Sequence, residues 1–576
     1  MSKPIAVCYY ESDIDHALAH REHIRAVLPL TLKCLAKAKH FGLPYEEGVY
    51  SDWDQARTVV RTDKGRCILV ETMRAMHLSM PEQEMITDVF NRVVVSAIRF
   101  WFMLGANGPW CLATQSGLQV YPSRQEAYSA LAPHVLRQRV SHKQGVVFSS
   151  NRIFSMMQSV FVRFIGKRRK IILIGANKDM FGLKAQIEKY DPTVSWAICE
   201  YPQSILRAYA YLVRNILHVF SNRRHFSIMV IPTETVGEGA GLASDQTDPI
   251  IRCALKAAEE LLEHNMRMMR GSEKAFDNIV NQINPRLFLS AEISRMTEWM
   301  LAWSCGKKKI KRVIVGRNGQ VPTSSALAKT ACNEYFLTRH PFDFFDEAFV
   351  WSPPAFEHAC SAVSESGNHI IRTVNAVPVS DHARRDVKRR KVLLADSYAA
   401  WGFPHAWILQ TANEFVSSAR RVSSVMEEMA ETNFIIRAKL KFDADLSDLV
   451  ALIEPGANTE IKIRGVPFSE ELANTDLLIS FHSTTIFEAL FARCPVLLFG
   501  GTSRFRYLEA RMTPPTEVSR AAVYAIDNEA DLPEMIRSIL THHAGKPLTD
   551  DEIAKYCHLD GAPSIPDLAQ ELVANL

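Results

Sequence analysis

The stretch that decides the fold lies near the carboxyl end of the chain and reads Asp476-Leu-Leu-Ile-Ser-Phe-His-Ser-Thr-Thr-Ile-Phe-Glu-Ala-Leu-Phe-Ala-Arg-Cys-Pro-Val-Leu-Leu-Phe-Gly500. The run from Leu477 to Ser480 is short and apolar, as is typical of a buried parallel strand. A short helix is predicted from Ile486 to Ala492, and Cys494-Pro495 ends it. Val496 to Phe499 is predicted to form the next strand. The stretch therefore indicates a strand–turn–helix–strand unit of an α/β fold.

The polar turn of this unit carries the chemistry. His482, Ser483, Thr484 and Thr485 follow the predicted strand. Hydroxyls and N–H groups at a helix start favour a phosphate, although Ser and Thr also serve there as plain helix caps. Glu488, one turn into the helix, can reach a ribose hydroxyl. The order of strand, Ser-Thr-Thr, Glu and Cys-Pro favours a nucleotide site over a simple cap.

The stretch resembles the nucleotide-binding segment in the C-terminal domain of GT-B glycosyltransferases. It is similar to the Asp-x-x-Ile-Ser…Ser-Ser/Thr…Glu-Ala-Leu…Pro-Val-Leu pattern of bacterial surface-polysaccharide transferases, which build capsule and lipopolysaccharide. The likeness is close over about 25 residues and loose over about the last 400. It implies that Ser483 and Thr484, with Thr485 beside them, contact the phosphates of a CMP- or UDP-linked sugar. Glu488 falls on the ribose-contacting position.

Length and composition set the outer bounds. A chain of 576 residues is expected to form two to four domains, and 47% hydrophobic with 23% charged residues is typical of a soluble globular protein. A net charge of +4 is mild for this size and gives no indication of nucleic acid. The eleven cysteines lack CxxC pairs, as expected of buried thiols in a reducing compartment. No signal peptide is recognisable, and Arg99 and Pro109 interrupt the most apolar window, 93–113. We therefore expect a cytoplasmic protein.

Three regions are predicted along the chain. Residues 1–165 match no family and form an N-terminal accessory region of unknown role, helical or α/β, with helix-like periodicity from His16 to Lys39. Residues 166–375 alternate strands with helices, which predicts a Rossmann-like parallel sheet, and the resemblance implies that this domain holds the acceptor. Residues 376–576 are predicted to be the Rossmann-like nucleotide-sugar-binding domain. The fold class is therefore α/β and GT-B-like, with two parallel-sheet domains facing a cleft and ligands beyond the carboxyl ends of the strands.

Apolar runs bounded by turn residues predict the strands of the two sheets. Besides those of the opening stretch, they are Lys170–Ile174, Phe226–Ile231, Leu287–Leu289, Arg312–Val315, Ala348–Trp351, His369–Val374, Lys391–Leu394, Asn433–Arg437 and Glu460–Ile463.

Two kinds of basic group are candidates for the donor phosphates. Arg437 and Lys439 lie at the end of a predicted strand, where a guanidinium forks onto phosphate oxygens. The alternative for both is a solvated basic turn. His482 is expected to donate to a phosphate or to the leaving group, unless it is one of the many histidines with a structural role.

Two loops in the second region carry further candidates. Glu234 and Glu238 lie in a Gly-rich loop after a strand, and one such carboxylate can deprotonate an acceptor hydroxyl or act as a nucleophile. Loops without such a role carry Glu and Gly as well. Arg317 lies in Gly316-Arg-Asn-Gly-Gln320, which resembles a cleft-facing loop of GT-B enzymes. It is a candidate for binding an acceptor or donor carboxylate, the alternative being a tight turn.

Metal and membrane predictions follow from charge. The resemblance implies no bound metal or other cofactor, because cationic side chains and helix starts stabilise the leaving phosphate in GT-B enzymes. Asp443-Ala-Asp445 fits either a metal pair or the start of a helix. Basic runs at 167–170, 307–312 and 384–391 each precede a strand, on the side away from the predicted ligand edge. They form either a patch for an anionic membrane, at the inner face of the cell membrane, or ordinary solvated loops.

The leading hypothesis is a glycosyltransferase that moves a sugar from a nucleotide-sugar donor to a glycan or glycoconjugate acceptor in surface polysaccharide synthesis. One alternative is a sugar-nucleotide 2-epimerase, although those commonly show Ser-Gly-Gly where this chain has Ser-Thr-Thr. A non-catalytic nucleotide-sugar or glycan-binding protein of the same fold is the other. The residues leave hexosyl and sialyl- or Kdo-type transfer, and retention and inversion, open.

Overall fold

The computed structural model of the protein describes most of the chain. The described residues are 2–46, 79, 81–83, 100–101, 103–104, 108–141, 157–163, 170–175, 182–200, 210, 212–214, 225–230, 249–291, 296–316, 344–363, 369–375, 390–396, 412–438, 445–463, 467–481, 483, 485–500, 508–557 and 561–576.

The N-terminal region forms a small α/β sheet of its own, in the order β2-β1-β3-β4. Strand β1 is parallel to both β2 and β3, and β4 is antiparallel to β3. Helices Glu11–Ala19 and Leu32–His40 contribute to one core on the same face of the sheet. The strands are β1 (Ile5–Cys8), β2 (Ala26–Pro29), β3 (Trp110–Thr114) and β4 (Gly117–Tyr121).

The helix-like periodicity over 16–39 is wrong as a prediction of one continuous helix. Strand β2 separates two short helices, and all four of its residues are buried. Thr31 starts the second helix anew, because its hydroxyl accepts the Cys34 N–H at 3.2 Å in the manner of a helix cap.

The first Rossmann-like sheet has seven strands in the order β11-β10-β9-β8-β5-β6-β7, with every neighbouring pair parallel. Its strands are β5 (Ile171–Ile174), β6 (Ser195–Glu200), β7 (His225–Met229), β8 (Leu287–Ser290), β9 (Lys311–Val315), β10 (Glu347–Val350) and β11 (Ile370–Thr373). The helices between them are Leu183–Tyr190, Pro249–Ile283, Met296–Lys307 and Pro353–Val363, and Arg124–Ser141 precedes the sheet.

The second Rossmann-like sheet has six strands in the order β14-β13-β12-β15-β16-β17, again all parallel. Its strands are β12 (Arg390–Asp396), β13 (Thr432–Ala438), β14 (Thr459–Lys462), β15 (Leu477–Ser480), β16 (Val496–Leu498) and β17 (Val523–Ala525). Its helices are Ala412–Glu427, Leu446–Ile453, Phe468–Leu472, Thr485–Phe491, Leu532–His542 and Asp550–Ile553, and Ile565–Ala574 ends the chain.

Both large sheets follow the Rossmann pattern. Counted from the first strand of each, the spatial order is 3-2-1-4-5-6, with a seventh strand added to the first sheet. The predicted fold class, α/β with two Rossmann-like parallel sheets and an additional N-terminal region, is confirmed. Strand β15 has the predicted bounds, and the other predicted strands of these sheets overlap observed ones. Strands β6 and β17 were not predicted.

Hydrogen bonds and helix packing join the two Rossmann-like units, in addition to the chain that connects them. The Asn375 N–H, just after β11, donates to the Pro563 carbonyl at 2.9 Å. The last helix, Ile565–Ala574, then packs against helix Leu183–Tyr190 of the first unit. The Arg372 guanidinium on β11 makes two hydrogen bonds with the Glu571 carboxylate of that last helix, one of them 2.9 Å long.

The N-terminal sheet packs against both units. Ile5 and Val7 on one face share a core with Leu173 and Phe288 of the first unit. Leu35, on helix Leu32–His40, is buried in the core of the second unit. The N-terminal region is therefore an integral part of the fold that bridges the two large sheets.

Replacing Leu35 by Ala should destabilise the whole protein. Leu35 is 3% exposed, and removing a buried leucine side chain costs about 2–5 kcal/mol of unfolding free energy. Val450→Ala is the control, because Val450 lies on helix Leu446–Ile453 but is 42% exposed. Urea unfolding should give a clearly lower midpoint for Leu35→Ala alone. Equal midpoints for the two variants would contradict the docking described above.

The Arg372–Glu571 pair should make the stability of the fold depend on pH in the acidic range. Hydrogen bonds from Arg372 lower the pKa of Glu571 from its ordinary value of 4.5. The pair therefore stabilises the fold above pH 4.5, and this contribution is lost as the pH falls through the lowered pKa of the folded state. Glu571→Gln should lower the melting temperature at pH 7, and its difference from wild type should shrink on acidification below about pH 4. A difference that is constant from pH 7 to pH 3 would contradict this role.

Candidate functional site

The strand order of the second sheet creates a topological switch point between β12 and β15. From β12 the chain proceeds to β13 and β14 on one side, and from β15 to β16 and β17 on the other. In open α/β sheets, connections that leave in opposite directions create a crevice beyond the carboxyl ends of the two strands, and ligands bind there. The turn quoted at the outset follows β15 directly and therefore lies at this switch point.

The turn is held to β12 by one hydroxyl and is closed by a second. The Thr485 hydroxyl donates to the Ala395 carbonyl near the end of β12, at 3.3 Å. The Thr485 N–H donates to the Ser483 hydroxyl oxygen, also at 3.3 Å. Thr485 therefore positions the turn. The Ser483 hydroxyl acts as an acceptor in this bond, so its own hydrogen can still be donated to a ligand.

Helix Thr485–Phe491 is fixed by its apolar side. Ile486, Phe487 and Leu490 are buried, and the Phe487 ring stacks on Trp351 with the ring centroids 6.0 Å apart. Trp351 directly follows β10 of the first sheet, so the two units meet at the helix that starts in the turn. Glu488 is half-buried on this helix, one turn after Thr485, and its contact with a ribose stays a prediction.

Arg437 lies in register with the switch point, but its guanidinium already has partners. It pairs with Ala395 on β12 and with Lys462 on β14 in the sheet. Its side chain forms an ion pair with the buried Glu471 carboxylate and lies 5.3 Å from the centre of the Phe468 ring. A phosphate at Arg437 would therefore share the guanidinium with Glu471, and phosphate binding by Arg437 stays a prediction.

Glu471 is a feature that sequence reasoning missed. Its side chain is 3% exposed, with Lys462 Nζ 3.7 Å away, while Lys391 Nζ donates to its backbone carbonyl at 3.3 Å. The cations Arg437 and Lys462 face the Glu471 carboxylate, and Lys462 also pairs with Glu460 at 3.1 Å, so charges of both signs meet on this side of the sheet. The sequence signal was weak, because Glu471 belongs to a short helix that precedes β15 by only four residues.

Several candidate residues lie outside the described part of the chain: Glu234, Glu238, Arg317, Lys439, His482 and Thr484. Their predicted roles stay predictions. Asp445 is described, and it starts a helix: its carboxylate accepts the Asp448 N–H at 3.1 Å. Among the described residues, no group of three or more His, Cys, Asp and Glu is placed to hold a metal ion.

Four of the eight basic residues that the structure describes in the basic runs form ion pairs. Their pairs are Lys170–Asp191 at 3.2 Å, Lys307–Asp277 at 2.6 Å, Lys311–Glu347 at 2.7 Å and Arg312–Asp346 at 2.7 Å. Membrane contact stays a prediction. Of the helices the structure describes, none has both the length and the apolar character needed to cross a bilayer.

Comparison with known proteins gives structural likeness only. No family model and no curated protein sequence matches the chain. A UDP-glucosyltransferase from Polygonum tinctorium is 10% identical, covering 71% of this chain and 98% of its own, with a TM-score of 0.41. MurG from Acinetobacter baumannii is 9% identical over 70% and 98%, with a TM-score of 0.36. A UDP-GlcNAc 2-epimerase from Methanocaldococcus jannaschii is 11% identical over 65% and 92%, with a TM-score of 0.37. At these values the fold assignment rests on the strand orders described above.

Thr485 offers a direct test of the switch-point geometry. Thr485→Val keeps the shape of the side chain but removes the donor to Ala395, and a lost hydrogen bond of this kind costs about 1 kcal/mol. Thr485→Ser keeps the donor and should stay close to wild type in thermal stability. If Val and Ser variants melt at the same temperature, the contact to Ala395 does not hold the turn.

Proposed function

We propose that the protein is a GT-B glycosyltransferase that moves a sugar from a CMP- or UDP-linked donor to a glycan or glycoconjugate in surface polysaccharide synthesis. The observation that carries the proposal is the coincidence of two independent features. The residues that resemble a donor-binding segment follow β15, and the strand order makes the end of β15 the switch point of the second sheet. A sequence likeness by chance would have no reason to fall at that edge.

The donor would bind with its phosphates near Ser483 and its ribose near Glu488. The Ser483 hydroxyl can donate to a phosphate oxygen while it accepts the Thr485 N–H. Glu488 is half-buried on the same helix, and its carboxylate would accept a hydrogen bond from a ribose hydroxyl. Thr484, Lys439 and His482 belong to the same predicted donor site. Arg437 and Lys462, near the carboxyl ends of β13 and β14, would share their charge between Glu471 and a phosphate.

The first Rossmann-like unit would hold the acceptor. Trp351 brings the carboxyl end of β10 against the helix of the donor site, so groups at this edge of the first sheet are near the sugar. Glu234 and Glu238 follow β7 in the sequence and are the proposed source of the base, and Arg317 follows β9 and would bind a carboxylate. No metal is needed in this scheme, because cationic side chains stabilise the leaving phosphate.

The proposed location is the cytoplasm, at the inner face of the cell membrane where a surface glycan is assembled. Peripheral contact with anionic lipid would come from the unpaired members of the basic runs. No nucleic acid is expected as a partner.

Nucleotide binding should be visible as thermal stabilisation. A ligand at 100 times its Kd adds about 2.7 kcal/mol of apparent stability, so CMP, CDP, UDP and GDP can be ranked by melting temperature. One of them should raise the melting temperature of wild type, and Ser483→Ala and Glu488→Ala should each reduce that rise. Glu534→Ala is the control, since Glu534 is an exposed residue in the first turn of another helix.

The products decide between transfer and its alternatives. Transfer gives a glycoside and free nucleotide, whereas epimerisation leaves the nucleotide attached to a changed sugar, and a binding protein yields neither. A wild-type protein that none of the four nucleotides stabilises would overturn the proposal, leaving the Ser-Thr-Thr turn as a helix cap.

A further inference from the structure

One buried hydroxyl at the switch point has no hydrogen-bond partner within the described part of the chain. Ser480 is the last residue of β15 and is 0% exposed. Its Oγ makes no hydrogen bond with any residue that the structure describes. Burying a hydroxyl without a partner costs stability, and such groups are rare enough in folded proteins to call for an explanation.

The direction of this hydroxyl follows from strand alternation. Leu478, two residues earlier, shares a core with Ala395 and with Phe487 of helix Thr485–Phe491. Because alternate residues of a strand share a face, Ser480 lies on the face of the sheet that this helix covers.

Arg437 lies in the same row of the sheet as Ser480, two strands away, with Ala395 between them. Leu394 pairs with Ile479, so the next residues of the two strands, Ala395 and Ser480, flank the switch point. On the other side of Ala395, Arg437 is its register partner. Ala395 carries only a methyl group, so no long side chain of β12 stands between the Ser480 hydroxyl and the Arg437 guanidinium in this row.

We propose that the Ser480 hydroxyl is a ligand-contacting group that donates to a phosphate oxygen of the bound nucleotide. This assignment rests on the proposed function and adds a residue to its donor site. A phosphate oxygen between Ser480 and Arg437 would receive one hydroxyl and one charged donor, and hydrogen bonds to charged acceptors are the stronger kind. The bound nucleotide would thereby supply a partner for a buried hydroxyl that has none among the described residues.

The chain contains a matched control for this assignment. Ser195 is also 0% exposed, and its Oγ likewise lacks a hydrogen-bond partner in the described part of the chain. It is the first residue of β6, at the amino end of a strand in the other large sheet, away from either carboxyl edge. The two serines therefore share burial and lack of a partner, and differ in their position relative to the switch point.

The experiment compares Ser480→Ala and Ser195→Ala by melting temperature and by calorimetric titration. The titrants are the best-binding nucleoside diphosphate and its parent nucleoside, which has no phosphate. Both variants should melt at or above the wild-type temperature, because each loses an unsatisfied buried hydroxyl. Ser480→Ala should bind the diphosphate about tenfold or more weakly and the nucleoside unchanged, since a hydrogen bond to a charged group is lost. Ser195→Ala should bind both as wild type does.

The outcomes separate this assignment from the proposed function. If wild type binds the diphosphate and Ser480→Ala binds it equally well, the assignment is overturned and the proposed function stands. If Ser480→Ala melts lower and loses affinity for nucleoside and diphosphate alike, the hydroxyl is structural and the assignment is again overturned. If wild type binds no nucleotide, the proposed function fails and the assignment fails with it.

Discussion

The carboxyl ends of β12 and β15 lie side by side because the chain turns back after three strands and continues on the other side of β12. The rest of the site depends on this placement. It brings a turn rich in hydroxyls beside a strand that is distant in sequence, and the hydrogen bond from Thr485 to the Ala395 carbonyl holds the two together. Moved to any other pair of strands, the same turn would be an ordinary helix cap.

The packing around the switch point fixes it from several directions. Phe487 stacks on Trp351 of the first unit, and the last helix of the chain returns to that unit through Arg372 and Glu571. The N-terminal sheet adds a third support, since it shares cores with both large sheets. These contacts stabilise the fold. A fold stabilised in this way can tolerate groups whose burial is unfavourable, such as the Glu471 carboxylate and the Ser480 hydroxyl.

The two large sheets could be predicted from the sequence because parallel strands buried on both faces read as short apolar runs between turn residues. Leu477–Ser480 is the clearest case. The N-terminal sheet could not be predicted so well, because β2 lies between two helices whose apolar spacing runs on across it. Strand β17 is as short as β16, but β16 belongs to the recognisable stretch 476–500, whereas β17 lies outside it.

The parts of the candidate site that are adjacent in sequence could be proposed from the sequence. The parts that depend on contacts between distant segments could not. Ser483, Thr485 and Glu488 follow one strand and were found together. The pairing of Arg437 with Glu471, 34 residues away, depends on a short helix that packs on the sheet. The lack of a partner at Ser480 is a property of the folded state, since nothing in the sequence distinguishes it from any other strand serine.

Hydrogen–deuterium exchange with and without the stabilising nucleotide tests the central claim, that the switch point of the second sheet is the ligand site. We expect slower exchange in the peptides that cover the end of β12 and the segment from β15 into helix Thr485–Phe491, with little change at the corresponding switch point between β5 and β8. Protection confined to the first sheet, or to the N-terminal sheet, would contradict it.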